Sequence, residues 1–220
     1  MSSDIHGFNV NLEDAIISFG TLDFFDVSAS ASSTINYPAG IAANDIGVIF
    51  YGGYDDVGGK PASYFDPPAG YTLISRAYFN SGSGSIAAYI AVKDLTGSET
   101  SETFPTVTVS TESALKIFRP SAAGTTIFGD AENSSGFPPA ALTINAPAGT
   151  APALFLGIGL TLSGAPVTDI SMTGTPVVSA GALVWGGHES VASASSGSRV
   201  LTHSYGALPG LLASGYISRS

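Results

Sequence analysis

His188-Glu189 opens like the helical zinc motif H-E-x-x-H, in which two histidines share one helix face and the glutamate serves as base. Ser190, Val191 and Ala192 follow instead, with no second histidine in the motif's place. The flanks read as strand and turn, so an exposed loop histidine is expected. His203 lies within RVLTHSY and His6 near the N-terminus, and no G-x-S-x-G elbow presents a serine to either. Gly157-x-Gly159 has the spacing of a dinucleotide loop but lies inside an apolar run with no helix after it, so it reads as a strand that another backbone approaches closely. No catalytic residue, metal ligand or cofactor site is assigned, and an enzyme is not expected.

Two other groupings are chemically suggestive. Asp55, Asp56 and Asp66 cluster near one turn, as calcium sites and glycosidases require of their carboxylates, but the spacing is not that of an EF-hand loop. Free acids on a polar loop serve solubility equally well. The aromatics Tyr51, Tyr54, Tyr64, Phe65, Tyr71, Tyr78 and Phe79 crowd one stretch beside Asp and Asn. Such rings fill a core, form a protein interface or stack on sugars. Tyr51, Tyr54, Tyr64, Phe65 and Tyr71 are therefore the candidates for contact with a partner or a host glycan.

The elements that would position these residues follow from composition. The chain has 220 residues, of which 44% are hydrophobic and only 11% charged, with 27 glycines, 13 prolines and no cysteine. Short Val/Ile/Phe/Tyr/Thr runs between turn residues predict many strands, hence an all-β antiparallel sandwich or jelly roll in one domain. Seven Lys and Arg against a net charge of −10 make nucleic acid and anionic membranes unfavourable partners. Without cysteine there is neither a disulfide framework nor a thiolate nucleophile. The start of the chain lacks the basic and apolar regions of a signal peptide, and the longest apolar run, Ala151–Leu162, is too short for a membrane helix.

Residues 1–34 differ from the rest. Apolar residues, among them Phe8, Phe19, Phe24 and Phe25, alternate with acids and end in SASASS. This segment reads either as an edge strand packed on the domain or as an arm that docks on a partner subunit. The sandwich is expected over 35–220, with strands at Ile46–Tyr51, Tyr71–Tyr78, Ile86–Lys93, Thr106–Ser110, Ala114–Arg119 and Ala153–Leu162, the last of them central. Gly52–Pro61 reads as an exposed loop and Asp130 with Glu132 as an exposed acidic pair. Arg199–Tyr205 and Ser214–Arg219 are expected to form the final strand pair.

Taken together, GVIFYGG, the turn PAGYTLI, SIAAYIAVKDLTGSE and ALKIFR resemble a widespread group of bacteriophage and prophage virion proteins. Their pattern is an apolar strand, a P-x-G-W/Y turn, an aromatic-rich strand, a T-G-x-E corner and a strand of the ALxIFR type. Here those elements are Ile46–Tyr51, Pro68–Tyr71, Ile86–Lys93, Thr96–Glu99 and Leu115–Arg119. Tyr71 stands where tryptophan is commoner. The resemblance implies a structural β-sandwich of the virion, decorating the capsid or belonging to a tail or fibre. Its partners would be other virion proteins and copies of itself, with the N-terminal arm as attachment. A host-recognition carbohydrate-binding module is the alternative. Gly70 suits the φ > 0 position of a type II turn, and Tyr71 is expected to plug the end of the sandwich with its hydroxyl at the rim.

Overall fold

A computed structural model describes residues 33–108, 110–120, 124–136, 139–146, 153–161, 170–180, 184–191, 197–204 and 210–219. The candidate arm residues Phe8, Phe19, Phe24 and Phe25 lie outside the described residues. The strands begin with β1 (Thr34–Asn36), β2 (Ala43–Asp55), β3 (Thr72–Asn80), β4 (Ser85–Thr96), β5 (Ser101–Thr103) and β6 (Ser110–Phe118). They continue with β7 (Thr126–Gly136), β8 (Leu142–Ala146), β9 (Ala153–Thr161) and β10 (Ile170–Met172). The last four are β11 (Val177–Ala180), β12 (Val184–Val191), β13 (Gly197–His203) and β14 (Gly210–Arg219). A single 3-10 turn, Ala62–Phe65, is the helical element among the described residues.

The fold is all-β, and every strand pairing in it is antiparallel. A four-stranded sheet, ordered β3-β4-β2-β6, packs on a five-stranded sheet, ordered β11-β12-β9-β14-β7. Between them lies a core of Ile46, Val48 and Phe50 from β2, Ile86, Ile90 and Val92 from β4, Leu154, Leu156, Ile158 and Leu160 from β9, and Leu211 and Ile217 from β14. Strand β4 alternates as its sequence predicts, with Ala87, Tyr89 and Ala91 on the opposite face. That face is buried too. Ile35, Tyr37, Phe65, Tyr71 and Phe104 cover it, brought by the β1–β5 pair and the loops around the 3-10 turn.

The outer face of the five-stranded sheet is covered in its turn by the three-stranded sheet β10-β13-β8. Leu142, Ile170, Met172 and Leu201 meet Trp185 and Leu212 there, and Ile144 and Ala146 meet Phe155 and Tyr216. The expected antiparallel sandwich is present as the two central sheets, and two covers add layers that strand counting does not predict. This explains why β2, β4, β9 and β14 read as near-continuous apolar runs: a strand buried on both faces has no polar side to alternate with. It also explains Gly157-x-Gly159, whose missing side chains make room for side chains rather than for a backbone. A Cβ on Gly159 would lie 2.3 Å from Ile170 Cδ1, and one on Gly157 would lie 3.2 Å from Leu201 Cδ1.

Several local expectations are corrected. Strand β2 runs on through Gly52, Gly53 and Asp55, all buried, so the exposed loop starts only at Asp56. Thr106, Val107 and Thr108 form no strand. Strands β13 and β14 do not pair with each other: β13 pairs β10 and β8, whereas β14 pairs β7 and β9. The acids of β7 are not idle surface charge either. Glu132 Oε2 accepts the Thr143 amide at 2.8 Å and Asp130 Oδ2 accepts the Asn145 amide at 3.3 Å, so they satisfy donors on the edge of β8. Strand β9 is central in the five-stranded sheet, as its composition predicts.

Candidate functional site

The turn Pro68-Ala69-Gly70-Tyr71 closes through the Tyr71 amide, which donates to Pro68 O at 3.2 Å, with Gly70 at φ 87°. Those are the features of a type II turn, and Gly accepts the positive φ without steric cost. The turn delivers Tyr71 to the covered face of the four-stranded sheet. There its hydroxyl donates to Tyr37 Oη at 2.6 Å, and Tyr37 in turn donates to Glu102 Oε1 at 2.9 Å. The ring thus lies under the β1–β5 cover, not at the end of the sandwich, and its hydroxyl is inside rather than at the rim.

Lys93, at the end of the aromatic-rich strand, joins the same network. Its Nζ is 3.0 Å from Glu102 Oε1 and 3.6 Å from Glu99 Oε1, and 5.5 Å from the Tyr71 ring centre. Glu99 also accepts the Thr96 amide at 2.9 Å and the Gly97 amide at 3.0 Å. Burial pushes the Glu99 carboxyl up, but these amides together outweigh it and hold the group below its usual range. Burial likewise raises the Tyr37 and Tyr71 phenols, which stay protonated. The turn meets the strand end, and the T-G-x-E corner that follows it directly, at one ammonium. Phenols held protonated and carboxylates held by cations and amides form a clamp for the cover rather than a proton-transfer site.

The five candidate contact residues have different fates. Tyr51 and Phe65 are fully buried and Tyr71 is nearly so. Tyr51 stacks on Tyr89 with ring centres 4.7 Å apart and meets Phe104 at 5.1 Å; burial pushes its phenol up to about 12. Phe65 meets Tyr64 edge-on at 5.2 Å. These rings have no face free to stack on a sugar. Tyr54 and Tyr64 are half-buried. The Tyr64 hydroxyl donates to Thr106 O and the Tyr78 hydroxyl to Lys60 O, which straps the 56–66 loop onto the sheet.

The three carboxylates do not share one site: Asp55 and Asp56 meet at Thr108, and Asp66 lies apart on Arg76. Asp55 is buried, with Oδ1 accepting the Val57 amide at 2.9 Å and the Thr108 hydroxyl at 3.2 Å. Asp56 accepts the Thr108 hydroxyl, and Asp66 pairs with Arg76 at 2.5 Å. Among the described residues no three His, Asp or Glu are grouped to hold a metal ion. No described helix is long and apolar enough to cross a membrane.

His188 is the clearest departure from expectation. It is a buried residue of β12, in contact with the ring of Phe118 at 4.9 Å, and not a loop histidine. Its Nδ1 lies 3.2 Å from Nζ of Lys116, a lysine of β6 with no exposed surface that also donates to Gly186 O at 3.0 Å and Val177 O at 3.2 Å. Nδ1 must therefore be the acceptor and the ring neutral. Burial, reinforced by the Lys116 charge, lowers the His188 pKa to about 3. Glu189, next along, faces the opposite side and pairs with both Nε and Nη2 of Arg199. Sequence reasoning passed over Lys116, although its parity with Ala114 and Phe118 in ALKIFR marks it as inward-facing. His203 is half-buried on β13.

Comparison with protein-family models, with curated proteins and with solved structures gives no match.

Proposed function

We propose that this chain is a structural subunit of a bacteriophage virion, a β-sandwich that decorates the capsid or forms part of a tail or fibre. The observation that carries the reading is the convergence at Lys93. Tyr71, Lys93 and Glu99, which belong to the sequence pattern shared with virion proteins, act together to clamp the β1–β5 cover. A pattern whose residues lock layers together suits a protein selected for a rigid surface. The low charge suits a chain whose final surface is shared with neighbours. Residues 1–34 supply the attachment segment in this reading.

Immunogold labelling of purified particles, with antibody raised against residues 35–220, tests it. Gold over the heads is expected for a decoration protein, and gold at one vertex or along the tail for a fibre or adaptor. Unlabelled particles, with the protein found only in lysate, would overturn the reading.

A further inference from the structure

Asp55, the last residue of β2, is a wholly buried acid that pairs with no lysine, arginine or histidine among the described residues. Its Oδ1 accepts the Val57 amide and the Thr108 hydroxyl, but Oδ2, equally buried, has no hydrogen-bond partner. A buried carboxylate without a counter-charge is costly. Lys60, in the loop that follows, does not supply one: its Nζ lies over the Tyr64 ring, 4.4 Å from the ring centre.

Tyr51 and Gly53 share that face of β2 with Asp55, because alternate residues of a strand point the same way. A Cβ on Gly53 would lie 2.4 Å from the Tyr51 hydroxyl, so this hydroxyl rests over Gly53, on the way to Asp55. It too is buried and makes no hydrogen bond of good geometry, although Thr111, opposite Gly53 on β6, lies beside it. On the loop side Asp56 also reaches Thr108, and one hydroxyl proton cannot serve two carboxylates at once.

We propose that Asp55 and Asp56, with the hydroxyls of Tyr51, Thr108 and Thr111, form a calcium site at the end of β2. The unpartnered Oδ2 carries the assignment, since a cation there supplies both the missing contact and the missing counter-charge. Carboxylate and hydroxyl oxygens, with no nitrogen or sulfur among them, suit a hard cation rather than a transition metal. An irregular set of this kind favours calcium over magnesium, which demands a tight octahedron. Two carboxylates make a weak site, with an expected dissociation constant of about 10⁻⁴–10⁻³ M. Asp66, held by Arg76, takes no part. The ion joins the end of β2 to the segment around Thr108 and so fastens the 56–66 loop.

The full chain, freed of metal with EDTA and held at fixed ionic strength, is titrated with calcium while its thermal unfolding midpoint is followed. A saturable rise of several degrees is expected, with far less from magnesium. Asp55→Asn keeps the Oδ1 acceptor and removes the charge, so the rise should vanish. Terbium(III) serves as a second probe, because a tyrosine within the site sensitises its emission. Calcium should displace it, and Asp56→Asn, on the exposed loop, should weaken its binding several-fold even if Asp55→Asn fails to fold. A parent midpoint that calcium leaves unmoved would overturn the proposal, as would an equal rise with magnesium. An undiminished rise in Asp55→Asn, or terbium binding untouched by Asp56→Asn, would do the same by showing diffuse attraction to an acidic surface.

Discussion

Gly70 carries a φ of 87° at the point where the chain turns to bury Tyr71. A Cβ there meets nothing closer than Lys93 Cε at 3.6 Å, so the cost of a substitution is backbone strain rather than collision. Gly70→Val is expected to lower stability by about 1–2 kcal/mol, and Gly70→Asn by less, because Asn tolerates the left-handed region. Urea titration of the two variants checks the order; equal losses would discount the turn. His188 sets a second residue-scale expectation. In the fold its imidazole stays neutral down to about pH 3, whereas its ordinary value is 6.5. Between those values the unfolded chain binds the extra proton, so stability falls as the pH drops from 6.5, by up to about 1.4 kcal/mol per pH unit. His188→Asn keeps an acceptor for Lys116 but does not titrate. Its urea midpoint is expected to vary less than the parent's between pH 6.5 and 5.

At the scale of elements, much of the fold is held by side chains acting on strand ends and edges. Burial pushes the Asp45 carboxyl up, but the Arg119 fork, with Nε to Oδ1 at 2.8 Å and Nη2 to Oδ2 at 2.7 Å, together with the Ala42 amide, brings it below its usual range. This secures the irregularity between Ala43 and Ile46 at the start of β2, where Asn44 has φ 71°. Arg119→Lys keeps the charge and loses the two-pronged geometry. A loss of about 1–2 kcal/mol is expected, read by thermal denaturation at pH 7. A depressed carboxylate stabilises the fold above its unfolded value and loses that contribution as pH falls through the folded one, so this difference should shrink below pH 4. The β7–β8 contacts predict a different readout. Replacing Glu132 and Asp130 with Ala leaves the Thr143 and Asn145 amides without their acceptors, and hydrogen exchange should quicken at those two amides before it does in β9.

For the whole molecule, Lys116 is the decisive group. It rises from the four-stranded sheet and binds two carbonyls and an imidazole of the five-stranded one. An ammonium so placed is tolerated because each donor has an acceptor, and it ties two layers that also meet through apolar packing, the Asp94–Arg219 ion pair and the Val184 amide donating to Glu112. Lys116→Met removes the charge at similar volume but strands the Gly186 carbonyl, with an expected loss of about 1–3 kcal/mol. Trp185, the one tryptophan, sits between the five- and three-stranded sheets and reports on that cover. Its fluorescence transition and the circular-dichroism transition should shift together in Lys116→Met. Separation of the two would show that the layers unfold independently.

The amino-acid sequence by itself determined the strand-rich class, the positions of β3, β4 and β9 and of the second half of β6, the type II turn at Gly70 and the absence of a cysteine framework. Each of these is a local property: propensity, period-two alternation, a φ > 0 requirement or a residue count. Only the tertiary structure decided which face each strand buries and against what. Near-continuous apolar runs signal burial on both faces but not what does the covering, so two sheets were expected where covers make four layers. Parity could point Lys116 inward and still not reveal His188 as its acceptor, because the two are joined across sheets and not along the chain. The same holds for Tyr37, Tyr71, Lys93, Glu99 and Glu102: each is an ordinary residue in its own segment, and their union depends on the register that brings β1, β4 and β5 over one another.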